Sequence, residues 1–519
     1  MQPYYVTTPI YYVNDEPHLG HMYTTIAADV LARHRRLSGD DVFFLTGVDE
    51  HGQKVQQAAE RRGIEPIELA NQVVQRYESL WPELGITNDD FIRTSSERHQ
   101  TRVQEMWKRL LDNGFIYKGF YEDWYCVPCE TYWTETQLKD ATFSADQNCL
   151  EAEICPDCKR SVEKIQEESY FFKLSAFQER LIEHINTYPD FIAPESRKNE
   201  VLRFVEGGLR DLSISRTTFS WGVPVPDDEG HVIYVWIDAL SNYITALGLP
   251  DGDKTSKYWP ADVQLIGKDI LRFHAVYWPA MLMAAELPVP KRVFAHGWWT
   301  VEGEKMSKSK GNALSPSDLL EKYEADTLRY FLLREVPFGH DGDFSESSLK
   351  LRYNTELAND VGNLLNRSLS MLQKYREGIL PAVTQEQDMD RALIADIEGM
   401  QRDVDAHLNK QEFHLALERI NQVVRHGNRY VADNAPWTLA KEGDDARLDT
   451  VLYHLVEALR LIAIQLSPFM PEKMSTMLGQ IMNEEVKAEE LRLIDGAGWG
   501  LLKANHQCQK PSPVFPRMD

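Results

Sequence analysis

The chain has 519 residues, more than a single hydrophobic core accommodates, so about three domains are expected. It is 43% hydrophobic and 26% charged, an ordinary globular composition. No apolar run suits a signal peptide or a bilayer span, so the cytosol is the default compartment. Its 56 basic and 80 acidic residues give a formal net charge of −24, which counts against a broad basic face for nucleic acid.

In chain order, VTTPIYYV (6–13) is a β-branched and aromatic run and predicts a buried strand. Asn14-Asp15-Glu16-Pro17 supplies a turn, acidic helix-start residues and a proline suited to the first helical turn. Met22, Ile26, Val30 and Leu37 continue at helical period, and DVFFLTGVD (41–49) predicts a second strand, hence a parallel α/β sheet. From residue 117 to 225 polar linkers and two C-x-x-C pairs suggest an inserted domain. The α/β pattern resumes with HVIYVWID (231–238), VQLIG (263–267) and a strand before HGWW (296–299). From about 346 the spacing is helical almost to the end, as in LANDVGNLLNRSLSML and the amphipathic LRLIAIQL, and predicts a helix bundle. Trp437 falls in a loop-like DNAPW, and the proline-rich tail ends irregularly.

Two motifs point to phosphate chemistry. His18-Leu19-Gly20-His21 lies at the strand-to-helix turn, with His18 and His21 on one face of the first turn. A helix N-terminus there offers unpaired N–H groups to phosphates, and Gly20 leaves room for a flat base. Read alone, the pair fits two surface histidines equally well. Lys305-Met306-Ser307-Lys308-Ser309 follows the last α/β strand; its cations and hydroxyls can surround a triphosphate, and no GxxxxGK[ST] P-loop is present. Cys126, Cys129, Cys155 and Cys158 form two C-x-x-C pairs, a spacing that suits a closed tetrahedral Zn²⁺ site, with a redox pair or unpaired thiols as alternatives.

HLGH and KMSKS in this order resemble the signatures of class I aminoacyl-tRNA synthetases. TTPIYYVNDEPHLGH, FFLTGVDEHG, YVWIDALSNY, LIGKDILRFHAVYWPAML and KMSKSKGN extend the resemblance, over nearly the whole chain, to the methionyl-tRNA synthetase family. Leu19 replaces the isoleucine of the class signature, a common variant in this family. Leucine, isoleucine or valine specificity would require a large editing insertion for which the chain has no room. A cysteine enzyme would place a thiolate in the first strand, where VTTPIYYV has none.

The resemblance implies a Rossmann-type catalytic domain split by a zinc-knuckle insertion and followed by an α-helical anticodon-binding bundle. The implied boundaries are 1–116 and 226–325 for the catalytic halves and 117–225 for the insertion. A stem-contact connector would span 326–345, the bundle 346–500, and a peptide packing back on the catalytic part 501–519. It implies ATP with Mg²⁺, L-methionine and initiator and elongator tRNA(Met) as partners, one structural Zn²⁺ per subunit, no membrane contact and a monomer. His18, His21, Lys305 and Lys308 would be catalytic, with Gly20, Gly267, Asp269 and Ser307 completing the ATP site. Asp49 would take the methionine ammonium; a carboxylate at the carboxyl end of a parallel strand also lies where α/β ligands bind. The side-chain pocket would be Pro9, Ile10, Tyr12, Trp236, Ala239, Tyr243, Ile270, His274 and Trp278. Asn359, Asn363 and Arg367, at i, i+4 and i+8, would read anticodon bases with Trp437 stacking on one.

Overall fold

The computed structural model describes residues 1–13, 16–129, 131–133, 138, 154–249, 252–301, 303–305, 314–496 and 498–519. The tyrosines and valine of PYYVT make β1 (Pro3–Thr7), followed by β2 (Tyr11–Tyr12), helix α1 (Leu19–Leu37) and β3 (Asp41–Asp49). β3 pairs in parallel with β1 at its start and β2 at its end, and along its other edge with β4 (Asp90–Arg93). β1 pairs with Val263–Gly267, that strand with Val293–His296, and that one with Ile192–Ala193, every pairing parallel. The carboxyl ends of the strands therefore converge near Pro9, Asp49, Gly267 and His296, where a parallel sheet binds ligands.

Alternation along the strands assigns side chains to two cores. Val6, Phe44, Leu265 and Phe294 pack with α1; Tyr5, Leu45, Ile266 and Ala295 pack with helices Glu97–Asp112, Val235–Thr245 and Trp278–Ala284. The first core continues through helix Ala325–Glu335 into the helices after residue 346.

A buried ion cluster joins these parts. Asp29 of α1 accepts from Arg33 (2.8 Å), Arg329 (2.7 Å) and the N–H and hydroxyl of Thr87 (2.8 and 2.6 Å). Arg329 also donates to the carbonyls of Leu84, Pro468 and Phe469. Burial by itself pushes the Asp29 carboxyl up, but the two guanidinium groups outweigh it and the group ends at about 2.

The structure departs from several sequence expectations. α1 begins at Leu19 with His18 as its N-cap, so Pro17 precedes the helix. Of HVIYVWID only the first part is strand (Asp228–Ile233), in a small antiparallel sheet; Val235–Thr245 is helical and buries Asp238. The 117–225 segment is not self-contained, because Ile192–Ala193 completes the parallel sheet and Phe177, Leu181 and Val205 fill its second core. LRLIAIQL is not amphipathic in place: helix Asp445–Leu466 is buried all round from Thr450 onward, as the central helix of a bundle must be. Tyr353–Gly362 is π-helical before the α-helix Asn363–Arg376. Trp437 is the second residue of a short helix, Pro436–Glu442, because left-handed Ala435 redirects the chain into a proline-started turn. The tail docks on the helical half, where the sequence expectation had it on the other part: Asn354 exchanges two hydrogen bonds with the Met518 backbone (2.8 and 2.9 Å), and Phe515 covers Gly362. No helix among the described residues is long and apolar enough to cross a membrane.

Candidate active site and cysteine cluster

A cavity of about 970 Å³ opens at the carboxyl ends of β1, β3, Val263–Gly267 and Val293–His296. Its size suits an amino acid together with a nucleotide.

One end is built on the start of α1. His18 Nδ1 accepts the Gly20 N–H (3.0 Å), and the His18 N–H donates to His21 Nδ1 (3.3 Å), a capping box made by two histidines. The imidazoles stack at 3.6 Å between centroids. A Cβ on Gly20 would lie 3.0 Å from His18 Cε1, so this glycine admits the capped ring as well as any ligand. Burial, and then His18, hold His21 well below the usual imidazole range, so at neutral pH it is uncharged. Gly267 and Asp269 line the cavity opposite, and the Trp298 indole N–H donates to Asp269 Oδ1 (3.0 Å).

The other end is apolar and aromatic. Pro9, Ile10, Tyr12, Asp49, Trp236 and Ala239 line it, with Tyr243, Ile270 and His274. Trp236 stacks on Phe273 at 3.6 Å and meets Tyr12 edge-on at 6.2 Å. Tyr243 Oη lies 2.7 Å from His274 Nε2, while His274 Nδ1 faces the Ile270 carbonyl at 3.0 Å. The carbonyl fixes the proton on Nδ1, so Nε2 accepts from the tyrosine. Burial depresses the His274 imidazole to about 4, keeping this wall uncharged. Trp278 stands one layer back, its ring 6.0 Å from that of Tyr243, and does not line the cavity.

Sequence reasoning missed His296, Trp298, Trp299 and Asp341, all of which line the cavity. The HGWW run after a strand was the available signal for the first three. Asp341 had none: it arrives because Gly342–Phe344 pairs with Trp299–Val301, and it accepts from the Trp298 N–H and from Lys268. Lys305 is described only as backbone, ending the strand Glu304–Lys305; Ser307 and Lys308 lie outside the described residues.

The four cysteines meet at two turns. Cys126 and Cys129 flank the turn between β5 (Ile116–Cys126) and β6 (Thr131–Trp133). Cys155–Arg160 folds into a second turn, closed by Cys155 N–H to Arg160 O (2.8 Å) with Lys159 left-handed. All four sulfurs lie within 4.8 Å of one another, with Cys126–Cys158 at 3.4 Å and Cys129–Cys155 at 3.8 Å. Tetrahedral ligands about 2.3 Å from a central ion stand about 3.8 Å apart, so the group can hold a metal ion.

In the helical half, Asn359 and Asn363 are exposed, Arg367 is half-buried, and Trp437 is 48% exposed. Helix Phe413–Asn434, which leads to Trp437, packs against the segment carrying Asn359.

The family model of class I (M) tRNA synthetases matches residues 4–369, and that of the anticodon binding domain of methionyl tRNA ligase matches 380–518. The methionine–tRNA ligase of Caldanaerobacter subterraneus subsp. tengcongensis is 49% identical over 99% of this chain and 79% of its own length. That of Thermotoga maritima is 47% identical over 99% of this chain and 80% of its own length. Among solved structures, Mycobacterium tuberculosis methionyl-tRNA synthetase in complex with methionyl-adenylate aligns with a TM-score of 0.93 at 44% identity, covering 100% of both chains. The apo form of the Mycobacterium tuberculosis enzyme aligns at 0.88 and 41% identity, covering 100% of this chain and 99% of that one.

Proposed function

The chain belongs to the methionyl-tRNA synthetases of class I, and from that premise we propose how its residues carry out methionine–tRNA ligation. The reaction joins L-methionine and ATP to methionyl-adenylate and pyrophosphate, then moves the methionyl group to the 3′-terminal ribose of tRNA(Met).

The methionine carboxylate attacks the α-phosphorus of Mg-ATP, and the bond to the bridging oxygen of pyrophosphate breaks. That carboxylate is already ionised, so no protein base or nucleophile is needed, and the enzyme contributes position and charge stabilisation. His18 and His21 hold the phosphates at the N-terminus of α1, with Gly20 and Gly267 giving the nucleotide access and Asp269 orienting it. Lys305, Ser307 and Lys308 close on the triphosphate as charge develops. Asp49 takes the ammonium, and the uncharged wall of Tyr12, Trp236, Ala239, Tyr243, Ile270 and His274 takes the thioether chain, which is polarisable and favours aromatic edges. Trp278 supports Tyr243 from behind.

A single observation carries this reading: one cavity unites a histidine-capped helix start with a buried carboxylate and an aromatic, uncharged recess. In ATP–pyrophosphate exchange across all twenty amino acids, methionine alone is expected to stimulate. Lys308→Ala is expected to slow adenylate formation severely with methionine affinity nearly intact; normal exchange in that variant refutes the assignment.

Zn²⁺ on Cys126, Cys129, Cys155 and Cys158 would be structural, since four thiolates leave no open position. It would hold the two turns against the tRNA acceptor arm. Asn359, Asn363 and Arg367 would read the anticodon through base edges, with Trp437 as stacking surface. Recognition of that kind does not require a large basic field, which reconciles tRNA binding with the net charge of −24.

A further inference from the structure

Behind the amino-acid end of the cavity lies a buried group that adenylate chemistry does not use. Asp238, on helix Val235–Thr245, places Oδ2 2.6 Å from His51 Nδ1 and Oδ1 2.7 Å from His99 Nε2. The other nitrogen of His99 lies 2.7 Å from Thr245 Oγ1. Asp238 and His99 are fully buried, His51 is 2% exposed, and none of the three lines the cavity. Burial by itself pushes the Asp238 carboxyl up, but His51 and then His99 outweigh it and the group ends at about 2. An ionised carboxylate between two imidazoles is an expensive object to bury unless its geometry does something.

The sequence positions indicate what that is. His51 is two residues beyond Asp49, and Asp238 stands between Trp236 and Ala239, so one hydrogen bond ties the strand end that carries the ammonium partner to the helix that carries the thioether wall. His99 binds Asp238 and Thr245, seven residues apart on one helix face, and so fixes that helix along two turns to helix Glu97–Asp112. The strand end is fixed on its other sides too: Glu50 accepts from Arg93 Nε (2.9 Å) and the Ser95 N–H (3.1 Å), and the Gly52 N–H donates to the Trp221 carbonyl (3.1 Å). His51 is the only member of this set that reaches across to the recess helix.

We propose that Asp238, with His51 and His99, is a positioning residue that fixes the distance between Asp49 and the Trp236–Tyr243 helix, and thereby sets the affinity and chain-length selectivity for the amino acid. The inference rests on the reading of Asp49 as the ammonium partner. The ATP end of the cavity, built on α1 and the strands Val263–Gly267 and Val293–His296, does not depend on this tie.

Steady-state ATP–pyrophosphate exchange on the full-length enzyme tests it, with methionine and ATP varied separately and active sites counted by adenylate burst. Asp238→Ala is expected to raise KM for methionine about tenfold or more while KM for ATP and kcat per active site change less than about threefold. Asp238→Asn is expected to restore KM for methionine to within about threefold of the parent. Its carboxamide oxygen still accepts from His51, and its NH₂ can donate to His99 Nε2 once that ring moves its proton to the nitrogen facing Thr245. A merely structural role would instead lower the count of active sites, with both KM values unchanged. That result, or equal rises in the two KM values, overturns the proposal. If Asp238→Ala gives no soluble enzyme, His51→Ala against His51→Asn reads the same split, since the asparagine amide can replace Nδ1 as donor. Asp49→Asn, run in parallel, separates the two levels. If it leaves KM for methionine unchanged, the ammonium reading fails and this inference with it; if it raises that KM while Asp238→Ala does not, the positioning role alone fails.

Discussion

Asp326 offers the sharpest physical test of how the catalytic and helical halves are joined. It lies in the first turn of helix Ala325–Glu335, 3% exposed, and its Oδ2 accepts the Lys473 N–H at 2.7 Å. Lys473 is the third residue of helix Pro471–Met482, whose N-cap, Met470, makes no side-chain hydrogen bond to the helix start. Asp326 therefore caps a helix of the other half. Burial raises its carboxyl from 3.8 to about 6, against the opposing pull of the Lys473 N–H and Arg329. The folded-state value lies above the unfolded one, so this group's contribution to stability is fully present below 3.8 and is lost as pH rises through 6. By pH 7 the ionised carboxylate costs about 3 kcal/mol relative to its neutral form. Asp326→Asn keeps the acceptor and removes the charge, but adds an NH₂ that needs a partner, so the net gain is about 1–2 kcal/mol at about pH 7.5. Urea unfolding of both proteins at about pH 5 and about pH 7.5 measures it, with the variant's advantage growing as pH rises. An asparagine variant less stable than the parent at the higher pH, or an advantage independent of pH, refutes the reasoning.

Two further outcomes follow from the sites. Cys155→Ser removes one of four converging sulfurs, so bound zinc measured by atomic absorption falls below one per chain. Aminoacylation of tRNA should then fall far more than methionine-dependent pyrophosphate exchange, because the cysteine turns stand apart from the cavity-lining residues. Trp437→Ala removes a half-exposed stacking surface, so KM for tRNA(Met) should rise by a factor corresponding to about 1–3 kcal/mol, with pyrophosphate exchange unchanged.

Much of this protein is legible in its sequence because the relevant physics is local. The order of VTTPIYYV, a helical pattern and DVFFLTGVD predicts a parallel sheet, although the expected strand 6–13 is split in the structure into Pro3–Thr7 and Tyr11–Tyr12, and the spacing of HLGH places two imidazoles at the start of a helix. Two C-x-x-C pairs suit a closed metal site by their spacing, and the fold decides between that and a redox pair or unpaired thiols by bringing all four sulfurs within 4.8 Å of one another. Methionine as the substrate is a reading of family resemblance, supported by relatives and solved structures over nearly the whole chain.

Tertiary structure decided what depends on contacts between distant segments. The run VWID alternates no worse than a strand, but Asp238 at its end finds two histidines, from positions 51 and 99, only when the segment is a helix. Asp341 and Ile192–Ala193 reach the catalytic sheet region from segments whose own composition signals a connector and an insertion. LRLIAIQL looks amphipathic because Arg460 and Gln465 interrupt it, yet Arg460 is buried: it pairs with Glu457 one turn earlier on the same helix and donates to the Gly498 carbonyl at 2.7 Å, a partner that only the fold supplies. Local sequence thus marked the histidine-led helix start and the two cysteine pairs, while the amino-acid recess was implied by family resemblance. The packing of the elements around the cavity depends on buried charges such as Asp29 and Asp238, whose partners lie tens to hundreds of residues away, which periodicity and spacing do not register.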